Sequence, residues 1–137
     1  MLAGERPLVT ACNEGGNSND PARLEARGDW LGALTAYTEQ IAANNADLAA
    51  WTRVGMILVR LMKWQAASDN FRFVVEQQPA HAEALHGLAI SLYHLGRVQE
   101  AREVADRAAA AAPADWRIHA TRAYVHATTL GDPAATL

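Results

Sequence analysis

One cysteine, Cys12, stands in a chain of 137 residues, so no intrachain disulfide can close and no cysteine-based metal site can be built. No apolar run approaches the roughly 20 residues that a membrane-spanning helix needs. Positive charge is not in excess: 12 Lys and Arg face 15 Asp and Glu, for a net charge of −3. That balance argues against a nucleic-acid surface. The chain also has no phosphate-cradling glycine loop, no nucleophile elbow and no segregated carboxylate pair, and Ser68 and Ser91 have no base at a recognisable spacing. Catalysis has nothing to rest on, so a non-enzymatic protein without cofactor is expected. The five histidines do not make a metal site either. His86 and His94 share a helix face around Ile90, and His119 and His126 lie seven apart, but none has a ligand partner at metal-binding spacing. The most they imply is a mild pH dependence of binding.

What the chain does have is a period. Trp30 and Trp64 are 34 residues apart, with Val98 in the same slot one period later. Ala33, Ala67 and Ala101 keep that interval, as do Tyr37 with Phe71 and Pro79 with Pro113. A fixed period of this length is the mark of stacked helical hairpins. Start and stop signals divide the chain accordingly. Asp20-Pro21 opens a short helix over 21–27 that ends at Gly28, and a second, over 29–44, breaks at Asn44-Asn45. Further helices are expected over 47–61, 64–78, 81–95, 97–112 and 115–129, with Pro79 and Pro113 as stops and turns at Met62-Lys63 and Gly96. No segment carries a convincing strand pattern.

Small residues explain the period physically. Gly55 with Ala67, and Ala89 with Ala101, lie twelve apart across successive hairpins. Such residues let two helix backbones approach, while Trp51, Leu58, Trp64 and Phe71 fill the space around the crossing. One hairpin cannot bury its own apolar face, so neighbours must stack. The repeat phase makes Trp30, Trp51 and Trp64 core fillers, whereas Trp116 falls out of phase and is expected to be partly exposed. Glu100, Arg102, Glu103, Asp106 and Arg107 read as a solvated helix face with pairs such as Glu103–Arg107.

Residues 48–81, through Trp51, Gly55, Leu58, Ala67, Phe71 and Pro79, resemble the tetratricopeptide repeat family. Residues 82–115 match it through Leu85, Leu88, Ala89, Leu92, Gly96, Ala101 and Pro113; residues 14–47 match in their second half, and 116–137 begin a further repeat with Ala123 in the small position. The resemblance implies an all-α, right-handed superhelix of about three hairpins plus a partial terminal repeat, filling 21–137. It also implies a concave groove, lined by the first helix of each hairpin, that takes up a peptide or helix of a protein partner. Carried over by position, the groove would present Thr52, Arg53, Met56 and Arg60, then Glu83, His86, Ile90, Tyr93 and His94, then Arg117, Thr121 and Tyr124. That mixture suits a peptide with one or two apolar anchors and some acidic character. The Lys/Asn clamp by which some family members hold chaperone carboxylates is replaced here by Thr52, Met56, His86 and Ile90.

Residues 1–20 are polar and without period, and read as a flexible leader. Within it, Val9-Thr10-Ala11-Cys12 resembles a bacterial lipoprotein cleavage box, and Asn13 to Asp20 a tether. Lipidation of Cys12 would anchor the chain to a membrane, although Glu5, Arg6 and Pro7 interrupt the apolar stretch upstream. The expected place is the cytoplasm, with a periplasmic lipoprotein as the alternative. The alanine- and arginine-rich style looks bacterial and suggests a scaffold in secretion or pilus assembly. Two further alternatives are a substrate-selecting region of a larger enzyme, such as a glycosyltransferase or sulfotransferase, and a homodimer paired through terminal helices.

Overall fold

The computed structural model describes residues 20–131, with side chains to Thr128. The leader, Cys12 and the segment after Gly131 lie outside the described residues. Seven helices are formed among them: α1 (Pro21–Ala26), α2 (Trp30–Ala43), α3 (Leu48–Arg60), α4 (Trp64–Gln77), α5 (Ala82–His94), α6 (Val98–Ala111) and α7 (Trp116–Gly131). Each begins and ends within about two residues of the expected signal, and no strand occurs among the described residues. None of these helices is long and apolar enough to cross a membrane.

The 34-residue period is written into the backbone as well as into residue types. Gly28, Met62 and Gly96, one per period, all take positive φ, at 80°, 60° and 84°. Each lets the chain reverse between the two helices of a hairpin, and Met62 alone does so with a Cβ. The hairpins are joined by a second recurring corner, at Asn44, Gln78 and Ala112, whose φ values are −150°, −138° and −137°. A third column caps the first helices. Asp47 Oδ1 accepts from the Ala50 amide at 3.1 Å, His81 Nδ1 from the Ala84 amide at 3.2 Å, and Asp115 Oδ1 from the Arg117 amide at 3.0 Å. Each satisfies an amide that the helix start would otherwise leave unpaired.

The chain divides into two compact units after Ala50, within α3. In the first, α1 packs on α2; Leu24, Ala33 and Tyr37 are buried, and the Tyr37 hydroxyl donates to Glu25 Oε1 at 2.9 Å. In the second, α5 packs against α4 on one side and α6 on another, and α7 packs on α6 and reaches α5. Its core centres on Phe71 of α4, whose side chain is fully buried. The ring lies between two glycines, Gly55 of α3 and Gly87 of α5, each so close that a Cβ there would run into it. Leu85, Leu88 and Leu92 of α5 and Ala101, Val104, Ala105 and Ala108 of α6 are buried, as are Ile118 and Val125 of α7.

The tryptophans sit less deeply than their phase suggests. Trp30, Trp51 and Trp64 are half-buried, and Trp51 lies against Phe73 with ring centroids 4.5 Å apart. Trp116 is 76% exposed at the start of α7. The charged face of α6 is tied rather than merely solvated: Arg72 of α4 pairs with Glu100 at 3.0 Å, and Arg107 donates to the Pro79 carbonyl at 3.3 Å. Asp106 accepts from Arg122 Nε at 2.7 Å and contacts His126 Nε2 at 2.9 Å, which links α6 to α7. The Arg122 hydrogen bond, followed by the His126 bond, holds the Asp106 carboxyl below its ordinary value.

Candidate functional site: the cleft between α5 and α7

Two first helices, α5 and α7, lie side by side over α6, and a cleft of about 250 Å³ opens between them. Ile90, Tyr93 and His94 form one wall; Ala120, Thr121, Tyr124 and Val125 form the other. The helical period explains the choice: residues three to four apart share a face, so Ile90 sits with His94, and Thr121 with Tyr124 and Val125. Five of the residues placed in the groove by position, Ile90, Tyr93, His94, Thr121 and Tyr124, therefore meet at one site.

Aromatic contacts hold the walls in place. The Tyr93 and Tyr124 rings meet edge to face with centroids 5.4 Å apart, and Tyr93 packs the same way on His94 at 5.4 Å. His94 in turn stacks on Trp64 of α4, at 4.0 Å and nearly parallel. Edge-to-face and offset pairs of this kind add roughly 0.5–1.5 kcal/mol beyond area burial. Tyr124 is still 58% exposed. A hydrogen bond with Tyr93 raises its hydroxyl above the ordinary tyrosine value. The cleft is thus mainly apolar, with two phenol groups, a threonine and an imidazole at its edge.

The remaining groove candidates divide. Met56 and Arg53 of α3 are half-buried, and Arg60 is exposed at the end of that helix. Glu83 is half-buried at the start of α5. Arg117 is exposed but turned back on its own helix cap, where its guanidinium meets Asp115 Oδ2 at 3.0 Å and lowers the Asp115 carboxyl. Two candidates are not open to a groove at all: Thr52 is 4% exposed and His86 is 8% exposed. The reason is plainest at His86. Its Nε2 lies 2.8 Å from Thr121 Oγ1, so α7 covers the ring and the two residues satisfy each other across the helix pair. Burial, followed by the charge of Arg117, lowers the His86 pKa from its ordinary value.

Position in the repeat could not reveal this bond, because it joins different columns of adjacent repeats. Nor could it reveal the stacking of Trp64 on His94, which turns an expected core filler into the support of the cleft wall. Ala120 and Val125 were missed as lining residues; helix periodicity points to both, since Ala120 lies one turn before Tyr124 and Val125 one turn after Thr121.

Comparison with known proteins agrees with the fold. The tetratricopeptide repeat family model matches residues 55–115. Over 74 residues the chain is 31% identical to tetratricopeptide repeat protein 8 of Caenorhabditis elegans, covering 54% of this chain and 14% of that protein. It is similar in structure to the first such domain of Spaghetti (RPAP3) bound to the HSP90 peptide SRMEEVD, with a TM-score of 0.77 at 15% identity, covering 82% of this chain and 90% of that one. The second such domain of human RPAP3, in complex with the HSP70 peptide SGPTIEEVD, gives 0.73 at 16% identity, covering 80% and 91%. MamA from Desulfovibrio magneticus RS-1 gives 0.74 at 20% identity, covering 88% and 72%.

Proposed function

Because the chain is a tetratricopeptide-repeat protein, we propose that it is a protein-interaction scaffold that takes up a peptide segment of a partner on its first-helix face. The observation that carries the proposal is the α5–α7 cleft, an apolar recess of about 250 Å³ edged by Tyr93, His94, Thr121 and Tyr124. A recess of that kind receives one apolar side chain, while the phenol groups and Thr121 offer hydrogen bonds to the peptide around it. Met56, Arg53 and Arg60 extend the surface along α3, and their cations suit a peptide with some acidic character.

The ligand class differs from that of the chaperone-peptide complexes. Where the carboxylate-clamping relatives carry their Lys/Asn set, this chain has Thr52, Met56, His86 and Ile90. Two of these are buried and two are apolar, so an apolar anchor within the segment, rather than a terminal carboxylate, is the feature to be recognised.

The test is selection of binding peptides from a random library on the wild-type chain, followed by titration against Tyr93→Ala and Tyr124→Ala. Loss of about tenfold or more in affinity for each variant is expected, the size typical of a central interface residue. Unchanged affinity for both, with the fold intact by circular dichroism, would remove the cleft from the binding site.

A further inference from the structure

His86 is a buried imidazole held in place by a residue of another helix. It sits one turn before Ile90 on α5, and its partner Thr121 sits one turn before Val125 on α7, so their 2.8 Å contact lies against the wall of the cleft. We propose that His86 is the positioning residue of the cleft and makes it pH-sensitive: proton uptake by the ring loosens α7 from α5 and opens the wall that Thr121, Tyr124 and Val125 provide. The role of the cleft in peptide capture rests on the function proposed above; the pH response of the helix pair does not.

The charged groups facing the ring are Glu83 from its own helix, Arg117 from α7 and Asp115 from the turn before α7. Arg117 opposes a cation on His86, whereas Asp115 and Glu83 favour one. Asp115 already serves Arg117 through two oxygens, at 3.0 and 3.3 Å, and caps α7 through the Arg117 amide. Its charge is therefore largely committed. The other helices on α5 bring apolar groups: Phe71 of α4 against Gly87, and the buried alanines and Val104 of α6. A second proton on His86 consequently places a cation in a site built for the neutral ring, and withdrawal of α7 is what returns that ring to water.

The direction follows from linkage. The docked ring holds its proton less tightly than a free histidine, whose ordinary value is 6.5. As pH falls below that value, the undocked state binds more protons than the docked state, so docking weakens until the docked ring's own pKa is reached. Above about pH 6.5 the contribution of the neutral ring is complete. Within the window the undocked fraction rises by up to about tenfold per pH unit.

Hydrogen exchange of the α7 amides, followed in the full chain between about pH 7.5 and 5.5 and corrected for intrinsic rates, reads the opening directly. The wild type is expected to show increasing exposure at Thr121 and Val125 as pH falls. His86→Gln, which can still bond Thr121 but does not titrate, is expected to be flat over the same range. His126→Gln, which removes the histidine that ties α7 to α6 through Asp106, is expected to keep the wild-type response. An equal pH response in wild type and His86→Gln would overturn the proposal, as would loss of the response in His126→Gln. Should His86→Gln fail to fold, an NMR titration of the wild-type imidazole decides: titration at or above the free-histidine value with α7 still protected would overturn it. Exchange is measured without peptide, so the two readings fail separately.

Discussion

Gly87→Ala separates the packing account from helix propensity by the sign of its effect. Propensity alone makes alanine better than glycine within α5, by about 1 kcal/mol. The structure predicts the opposite. A Cβ on Gly87 would stand 2.5 Å from Cε2 and 2.8 Å from Cε1 of Phe71, where carbon atoms ordinarily rest at roughly 3.5–4.0 Å. The ring has little room to swing away, because on its other side it lies close to the Gly55 backbone, where even an added Cβ would meet its Cε1 and Cζ at 2.6 Å. Overpacking of this kind costs about 1–3 kcal/mol, which leaves a net loss of ~1 kcal/mol after the propensity gain. Phe71→Leu alone creates a void and costs on the order of 1–2 kcal/mol. In the double variant the void receives the new methyl group, so the loss should fall short of the sum by about 1 kcal/mol. Urea unfolding followed by circular dichroism and by tryptophan fluorescence measures all four corners of the cycle. Coincident transitions are required, because stacked repeats can unfold in parts. A stabilised Gly87→Ala, or single-variant losses that simply add, would refute the sandwich of Phe71 between two glycines.

Four further outcomes follow from the recurring columns and from the surface charges. Met62→Gly places the permissive residue where Gly28 and Gly96 already stand; since Met62 is exposed, little packing is lost, and a gain of about 0.5 kcal/mol in urea stability is expected. Gly96→Ala, at φ 84° with open space around it, should lose about 1 kcal/mol from backbone conformation alone, and no loss would argue against the shared turn geometry. Asp47→Ala removes the side-chain acceptor for the Ala50 amide and should cost about 1 kcal/mol, whereas Asp47→Asn should restore most of it. Glu100→Gln breaks a half-exposed pair with Arg72 and should change stability by less than about 0.5 kcal/mol, with the difference shrinking further in high salt.

The columns explain which features the sequence discloses. A helix cap is a local event, so Asp47 and Asp115 mark their helices by type and spacing, and the proline stops work the same way; His81, whose type does not signal a cap, shows its capping bond only in the structure. Gly55 and Ala67 could be read as a close crossing because they recur at a fixed offset. Gly87 could not, since one period earlier its place is taken by Arg53 and one period later by Thr121. Only the Phe71 ring, entering from α4, gives Gly87 its purpose. The same limit applies to the site. Position in the repeat, carried over from the family resemblance, chose Ile90, Tyr93, Thr121 and Tyr124, which do meet; it also chose Thr52 and His86, which tertiary packing buries. Trp64 was assigned to the core by phase, and its stacking on His94 depends on where α4 passes α5. Local signals thus carried the helices and their ends, and pairwise contacts between repeats carried the cleft.

The most direct test of the interaction-scaffold account is a ¹⁵N NMR titration of the full chain with a peptide selected on it. The account predicts that the largest shifts fall on Ile90, Tyr93, His94, Thr121 and Tyr124, with smaller ones on Met56 and its neighbours in α3. Shifts concentrated on the outer faces of α4 and α6, with the α5–α7 cleft unmoved, would contradict it.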